Sequence, residues 1–404
     1  MLIGFLALTG SAGAQEVIAP RTEPPTLPPV LEEVETNKMS VISPAQSVPP
    51  VVPESPFQYG PLTLRPHFLY RFLYGSGIQS SPGQPQASIT HNISPGLLLA
   101  IGSHWTLDYT PTWTVYSNHH FHDTLDHTVE LIGGTTYEDW VLGLSQSYTR
   151  SSSPLVETGR QTDEETYSTA LNASYRFGQQ MSLDLGGNQD FRFTQQLADS
   201  RQWSTMDWLN YRFWPRLEAA LGLGLGYVDV SPGVDQTYEQ YQARIDWRAT
   251  DKVSLHVHGG VEDRQFLAAG ERELINPIFG ASLQYQPFDV TRVSLNVDRT
   301  VSTSPFTNQV TETTSVSGTL NQRLLENFYL NLLGEYRFVT YTAAANGVLA
   351  GRRDDYYSVT VRLSTTFLKR GTAATFYQYS GNSSNRGGFG YTSSQVGLEL
   401  GYRY

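Results

Sequence analysis

The chain alternates. Read back from its last residue, VGLELGYRY sets Val396, Leu398, Leu400, Tyr402 and Tyr404 on one parity and Gly397, Glu399, Gly401 and Arg403 on the other. Successive side chains of a strand point to opposite faces, so the segment is a ribbon with one apolar and one wet side. WTLDYTPTWTVY repeats the pattern, with Trp105, Leu107, Tyr109, Trp113 and Val115 against Asp108 and four threonines. MSLDLGGNQDFRF, RLEAALGLGLGY and FYLNLLGEYRF do the same, and no helical period competes with them. A pattern of period two sustained over most of a chain leaves only all-β architectures.

The alternation predicts about 18 strands, with 16 as the alternative count. They fall near 62–74, 87–102, 105–118, 124–137, 139–150, 164–177, 181–194, 203–213, 216–230, 237–249, 252–265, 275–287, 290–303, 309–323, 326–341, 353–368, 372–381 and 391–404. Short turns at GSH, YED, GQQ, WPR, TD, FDV, LLEN and KRG alternate with longer polar stretches such as GSGIQSSPGQPQ, SSSPLVETGRQTDE, QLADSRQW and GNSSNRGGFG. Strict alternation of tight and long connections is the mark of an up-and-down transmembrane barrel. With the first connection long and the count even, both termini are expected in the periplasm.

A soluble sandwich would pack an aliphatic face against a second sheet. Here aromatic residues interrupt the apolar parity near strand ends: Trp105, Trp113, Trp140, Tyr175, Phe177, Trp247, Tyr285, Phe338, Phe367 and Tyr402. Amphipathic rings at both ends of each span fit interfacial girdles. In hydrocarbon every backbone polar group needs a partner, so the sheet must close and its first and last strands must pair. The terminal strand, with Val396, Leu398, Leu400, Tyr402 and Tyr404, also fits the signal by which the outer-membrane barrel assembly machinery selects its clients.

Composition narrows the partners. Charged residues are 16% of the 404, and 27 basic against 38 acidic residues leave a net charge of −11, which disfavours nucleic acid. There is no cysteine, hence no disulfide, thiolate ligand or cysteine nucleophile. An apolar run from Leu2 to Leu8, followed by Ala12 and Ala14 at an A-x-A-like site, reads as a signal peptide over 1–14 without the usual basic start. Residues 15–60 are proline-dense and read as an extended periplasmic linker, and 61–404 as the outer-membrane barrel.

The wet parity should face a lumen, and a barrel of this size leaves a channel unless something fills it. The expected lumen-lining residues are Asp184, Arg192, Glu218, Arg244, Asp246, Arg248, Glu262, Arg292, Asp298, Glu335, Arg337, Arg362, Glu399 and Arg403. They mix signs, disfavour strong ion selectivity and show no single basic ring. In NHHFHD and beyond, His119, His120, His122 and His127 are metal-ligand types without a visible second shell, so no metal and no cofactor is expected. Ser254, His256, His258 and Glu262 could suggest a hydrolase, but residues two apart on a strand stand too far apart for direct hydroxyl–imidazole contact. The chain is not expected to be an enzyme. GLGLG lies mid-strand and opens no helix, so it is no phosphate loop and instead marks a bend or a close approach.

The segment ITHNISPGLLLAIGSHWTLDYTPTWTVYSNHHFHDTLDH resembles the beta-barrel porin type-two family of bacterial outer-membrane proteins. Ile93, Pro95, Leu97 and Leu99, then Leu107 and Tyr109, then Tyr116, Asn118 and His127 carry the resemblance. The family's acidic run in the first strand is replaced by Leu73, Tyr74 and Gly75. The resemblance implies a passive conduit for a secreted polysaccharide, with periplasmic export proteins as partners docked through the proline-rich tether. The alternative is a diffusion porin for small solutes, which would want an inward-folded constriction. Connections this short disfavour a large one.

Overall fold

The computed structural model describes residues 57–81, 83–155, 160–195, 197–268, 273–343, 351–368 and 370–403. The segment 1–14, the linker up to residue 56 and Tyr404 lie outside them. The strands are β1 (Gln58–Tyr59), β2 (Leu62–Ser81), β3 (Gln84–Ile101), β4 (Trp105–Tyr116), β5 (Thr124–Tyr137), β6 (Trp140–Leu155), β7 (Arg160–Phe177), β8 (Met181–Thr194), β9 (Asp199–Trp214) and β10 (Leu217–Ser231). They continue as β11 (Gln236–Thr250), β12 (Val253–Phe266), β13 (Leu274–Phe288), β14 (Thr291–Thr303), β15 (Gln309–Leu324), β16 (Phe328–Ala343), β17 (Arg353–Phe367), β18 (Gly371–Ser384) and β19 (Tyr391–Arg403).

From β2 to β19 each strand pairs antiparallel with its neighbour in sequence, and β19 returns to β2 from Ser394↔Ser76 to Arg403↔His67. The sheet is a closed barrel of 18 strands, and β1 adds a two-residue bridge at its base, Gln58 opposite Thr63. That bridge corrects the linker boundary expected at residue 60. Closure gives every barrel strand a hydrogen-bonded neighbour on both sides, which is the condition for a sheet to stand in lipid.

β5 and β8 have the bounds expected from the alternation. The differences gather at one rim, where the polar stretches expected to be loops are largely strand. β2 runs to Ser81 and β3 starts at Gln84, while β6 and β7 stay paired up to Leu155↔Arg160. Beyond the bilayer both faces of a ribbon are wet, so the backbone ladder continues while the apolar alternation stops. There Ser152 Oγ donates to Asp163 at 2.5 Å and Gln161 Nε2 to Ser152 O at 3.0 Å.

Pro95 sits inside β3. The β3–β4 ladder jumps from Ile93↔Trp113 to Leu97↔Tyr109, passing Pro95 and Pro111, neither of which can donate a backbone N–H. Across that gap the hydroxyls of Ser94 and Thr112 bond at 2.8 Å.

The faces are inverted relative to a soluble protein. Leu221 is 70% exposed and Leu398 55%, whereas Glu262 and Asp354 are fully buried. Leaving one such aliphatic side chain in water would forgo about 1.5–3 kcal/mol, and the outer wall carries many. Rings collect in two bands on that wall. Trp140, Tyr175 and Phe177 touch near the tight turns, as do Tyr211 and Phe213. Tyr148–Tyr167–Phe193 and Phe191–Trp203–Tyr227 run along the other side. An apolar belt between two aromatic girdles on a closed sheet is a transmembrane barrel.

Candidate functional site

Every charged residue expected on the inner wall, from Asp184 to Arg403, stands on the parity opposite the exposed apolar face. Most are not free ions. Arg71 on β2 and Arg362 on β17 both bind Glu399 on β19, through Arg71 Nε at 2.8 Å and Arg362 Nη2 at 2.8 Å. Arg244 lies 3.5 Å from Asp184 and 3.3 Å from Asp246, and its guanidinium stacks 4.4 Å above the Trp208 ring. Arg264 bonds Glu262 at 2.8 Å and covers the Tyr238 ring. Arg337 is joined to Glu335 and Arg212 to Glu218. A guanidinium held by a carboxylate at its edge and a ring at its face has little rotamer freedom left. The wall is therefore polar and stiff.

The GLGLG glycines are close approaches. Gly222, Gly224 and Gly226 face inward from β10, and a Cβ on Gly226 would stand 2.1 Å from the Tyr238 ring. On Gly222 it would meet Trp208 at 2.7 Å and Met206 at 2.6 Å. Side chains from β9 and β11 thus lie flat across β10 instead of standing into the lumen.

One hairpin leaves the barrel wall. Above Phe279↔Arg299 the β13–β14 ladder stops, yet β14 stays paired with β15 up to Thr303↔Val310 and β12 with β13 up to Arg264↔Leu274. Freed from β13, the top of β14–β15 turns inward. Val301 and Val310 continue the parity of bilayer-exposed Leu295 and Val316, but they are buried against Phe266 and Ile278 of the inner wall. Arg264 donates to Val301 O and to Thr303 Oγ1, each at 3.4 Å.

The tip of this hairpin reaches the β8–β9 and β10–β11 connections. Pro305 O accepts the Ala198 N–H at 3.0 Å, and Asn308 Oδ1 accepts the Val234 N–H at 2.9 Å. Phe306 packs on the cluster of Val339, Tyr341 and Tyr356 from β16, which adjoins β15, and β17 beyond it. The short connections disfavour a large inward-folded loop, and here strand rather than loop does the folding.

The opposite rim carries arginines that the sequence reading did not group. Arg65, Arg176, Arg212, Arg248, Arg292, Arg323 and Arg403 occupy the inner parity within three residues of the tight-turn ends of β2, β7, β9, β11, β14, β15 and β19. The set occupies seven of the 18 barrel strands and skips β3–β6, so it forms no continuous basic ring. Its signal was available: Tyr-Arg-Phe, Tyr-Arg-Phe, Trp-Arg and Tyr-Arg-Tyr each set an outward ring beside an inward arginine at a strand end.

The histidines of the β4–β5 connection do not converge. His120 Nδ1 contacts Asn118 at 2.8 Å, His127 stacks outside on Tyr109, and among the described residues no group of three or more ligand types could hold a metal. His256 Nδ1 meets Asp246 at 2.6 Å, while Glu262 is occupied by Arg264 and Gln240, so Ser254, His256 and Glu262 form no connected relay.

No family model and no curated protein matches the sequence. Among solved structures the chain is similar to OccK2 (OpdF) of Pseudomonas aeruginosa at 12% identity, with a TM-score of 0.46 and 84% of this chain and 98% of that one covered. It is similar to OccAB3 of Acinetobacter baumannii at 8% identity, TM-score 0.45, covering 84% and 99%. For the outer membrane protein OpdK of Pseudomonas aeruginosa the values are 12%, 0.44, 85% and 98%.

Proposed function

We propose that this chain is a passive outer-membrane channel for small polar solutes. The observation that carries the reading is the inward β14–β15 hairpin, whose tip bonds the β8–β9 and β10–β11 connections at Ala198 and Val234, with Phe306 packed on Tyr341 of the adjoining β16. A hairpin held inward at its tip narrows the mouth and favours small solutes over a polymer. The polysaccharide conduit implied by the family resemblance needs an unobstructed bore, and this hairpin counts against it. No connected catalytic relay supports an enzyme.

The even count of barrel strands puts both ends of the barrel at the tight-turn rim, which supports a periplasmic location for that rim. The exposed row Val396, Leu398, Leu400 and Tyr402 on β19 supports recognition by the assembly machinery. Reconstituted protein should conduct ions in planar bilayers and let liposomes take up small sugars with a sharp size limit. A deletion strain that loses secreted polymer while its small-solute uptake stays normal would restore the conduit.

A further inference from the structure

The outer wall holds an acid where lipid has nothing to offer it. On their strands Arg150, Glu165, Arg201, Asp229, Glu239 and Asp355 each stand two residues beyond an outward ring, toward the rim of the long connections. Asp207 instead stands inside the apolar band, on the outer parity of β9, four residues from Trp203 of one girdle and four from Tyr211 of the other. At about 3.3 Å per residue each ring is about 13 Å away along the strand, which puts the carboxylate near the middle of the bilayer. A charge on the lipid face is least favourable at that depth.

The barrel does not absorb this charge. The β8–β9 ladder passes from Asp184↔Trp208 to Gly187↔Thr205, and in the gap Asp207 Oδ1 accepts the Gly186 N–H at 3.3 Å. Among the described residues Oδ2 has no partner and Asp207 no ion pair. Around it the outer parity is polar or small: Thr205 on β9, Gly187 and Gln189 on β8, Thr169 on β7 and Gln146 on β6. Thr169 Oγ1 donates to Gln146 Oε1 at 2.6 Å, while the Gln146 amide donates only to Ser147 O, at 3.4 Å. Gln189 makes no side-chain hydrogen bond among the described residues. On the other side of β9, the same rows carry Leu221, Leu223 and Leu225 of β10.

Such a patch complements itself. It holds a carboxylate short of donors and, on β6 and β8, amides short of acceptors. A two-fold axis along the membrane normal, passing between β7 and β8, sets β9 of one copy against β6 of the other. Polar groups that meet there leave hydrocarbon, and Gly187, where an added Cβ would meet nothing within 4 Å, lets the walls come close.

We propose that two copies of this chain pair in the bilayer through the outer faces of β6–β9, with Asp207 of each accepting a hydrogen bond from the partner's Gln146. The pairing stands apart from the channel reading, since it is measured without conductance.

The chain has no cysteine, and Leu171 is exposed near the proposed axis, so a single cysteine reports the contact. Leu171→Cys in dilute lipid vesicles should be joined to a covalent dimer by a short membrane-permeant bismaleimide, because facing sheets stand about 10 Å apart. Val359→Cys, exposed on β17 across the barrel, should not be joined. Adding Asp207→Leu, or Gln146→Leu together with Gln189→Leu, should lower the Leu171→Cys dimer about tenfold while the barrel keeps its compact, heat-resistant form in electrophoresis. Asp207→Asn, which keeps an acceptor, should retain most of the dimer. A parent protein that is monomeric in nanodiscs by native mass spectrometry and forms no cross-link overturns the pairing, whether or not a different protein covers the patch. Equal cross-linking at Leu171→Cys and Val359→Cys also overturns it, as random collision, and so does a dimer that neither set of leucines lowers.

Discussion

Val310 is buried against Ile278, although it stands on the same parity of β15 as Val316, which is 45% exposed on the outer wall. A single strand thus shows one face to lipid and, six residues on, the same face to the inner wall of its own barrel. The change of surroundings is the bend of the hairpin. Val310→Asp should release it, because the substitution forfeits about 1.5–3 kcal/mol of burial and leaves a carboxylate without a partner. Single-channel conductance should rise while the unfolding midpoint of the barrel stays put. Unchanged conductance would show that the hairpin does not set the bore.

Glu399 holds Arg71 and Arg362 across three strands, β2, β19 and β17, next to the seam where the sheet closes. Glu399→Gln should leave two cations facing each other on the inner wall. Breaking a buried pair costs about 3–5 kcal/mol, and the lower end applies because both guanidinium side chains keep about a fifth of their surface in water. Denaturant unfolding of the reconstituted barrel should shift accordingly, and the reversal potential in a salt gradient should move toward anions. An unmoved reversal potential would mean that the permeation path does not pass this cluster.

Gly226 and Gly187 separate two roles of glycine in one wall. A methyl on Gly226 would collide with the Tyr238 ring at 2.1 Å, whereas one on Gly187 meets nothing within 4 Å. Gly226→Ala should therefore cost about 1–3 kcal/mol as overpacking and tilt Tyr238 into the lumen, lowering conductance. Gly187→Ala should be neutral in both assays. Equal effects would refute the view that the β10 glycines make room for flat-lying side chains.

Much of this was legible in the residues. Period two marked every barrel strand, because one face of each must match lipid and the other water over the whole span. Pro95 did not break its strand, since the gap beside it also holds Pro111 and a Ser94–Thr112 bond. Two features were not legible. The inward hairpin carries Val301 and Val310 on the outer parity, but Arg299 and Glu312 interrupt that parity just before the bend, and the lost β13–β14 ladder shows that its outer face meets protein. The seven inward arginines are scattered along the sequence and come to one rim only when the registers align the tight-turn ends.

The closure itself can be trapped. Tyr74 on β2 and Val396 on β19 are directly opposed and both exposed on the outer wall. Opposed residues of an antiparallel pair stand about 4.5–5.5 Å apart at Cα, within the range a disulfide can bridge. In this cysteine-free chain, Tyr74→Cys combined with Val396→Cys should oxidise to a single intramolecular bond. The oxidised protein should then resist unfolding more strongly than its reduced form, since the bond fastens the first barrel strand to the last and closes a loop of several hundred residues. A shift by one residue would place one cysteine outside and the other inside, and no bond would form. Failure to oxidise while each single-cysteine variant reacts readily with a membrane-permeant maleimide would show that the two strands do not meet in this register, and the closed barrel would have to be redrawn.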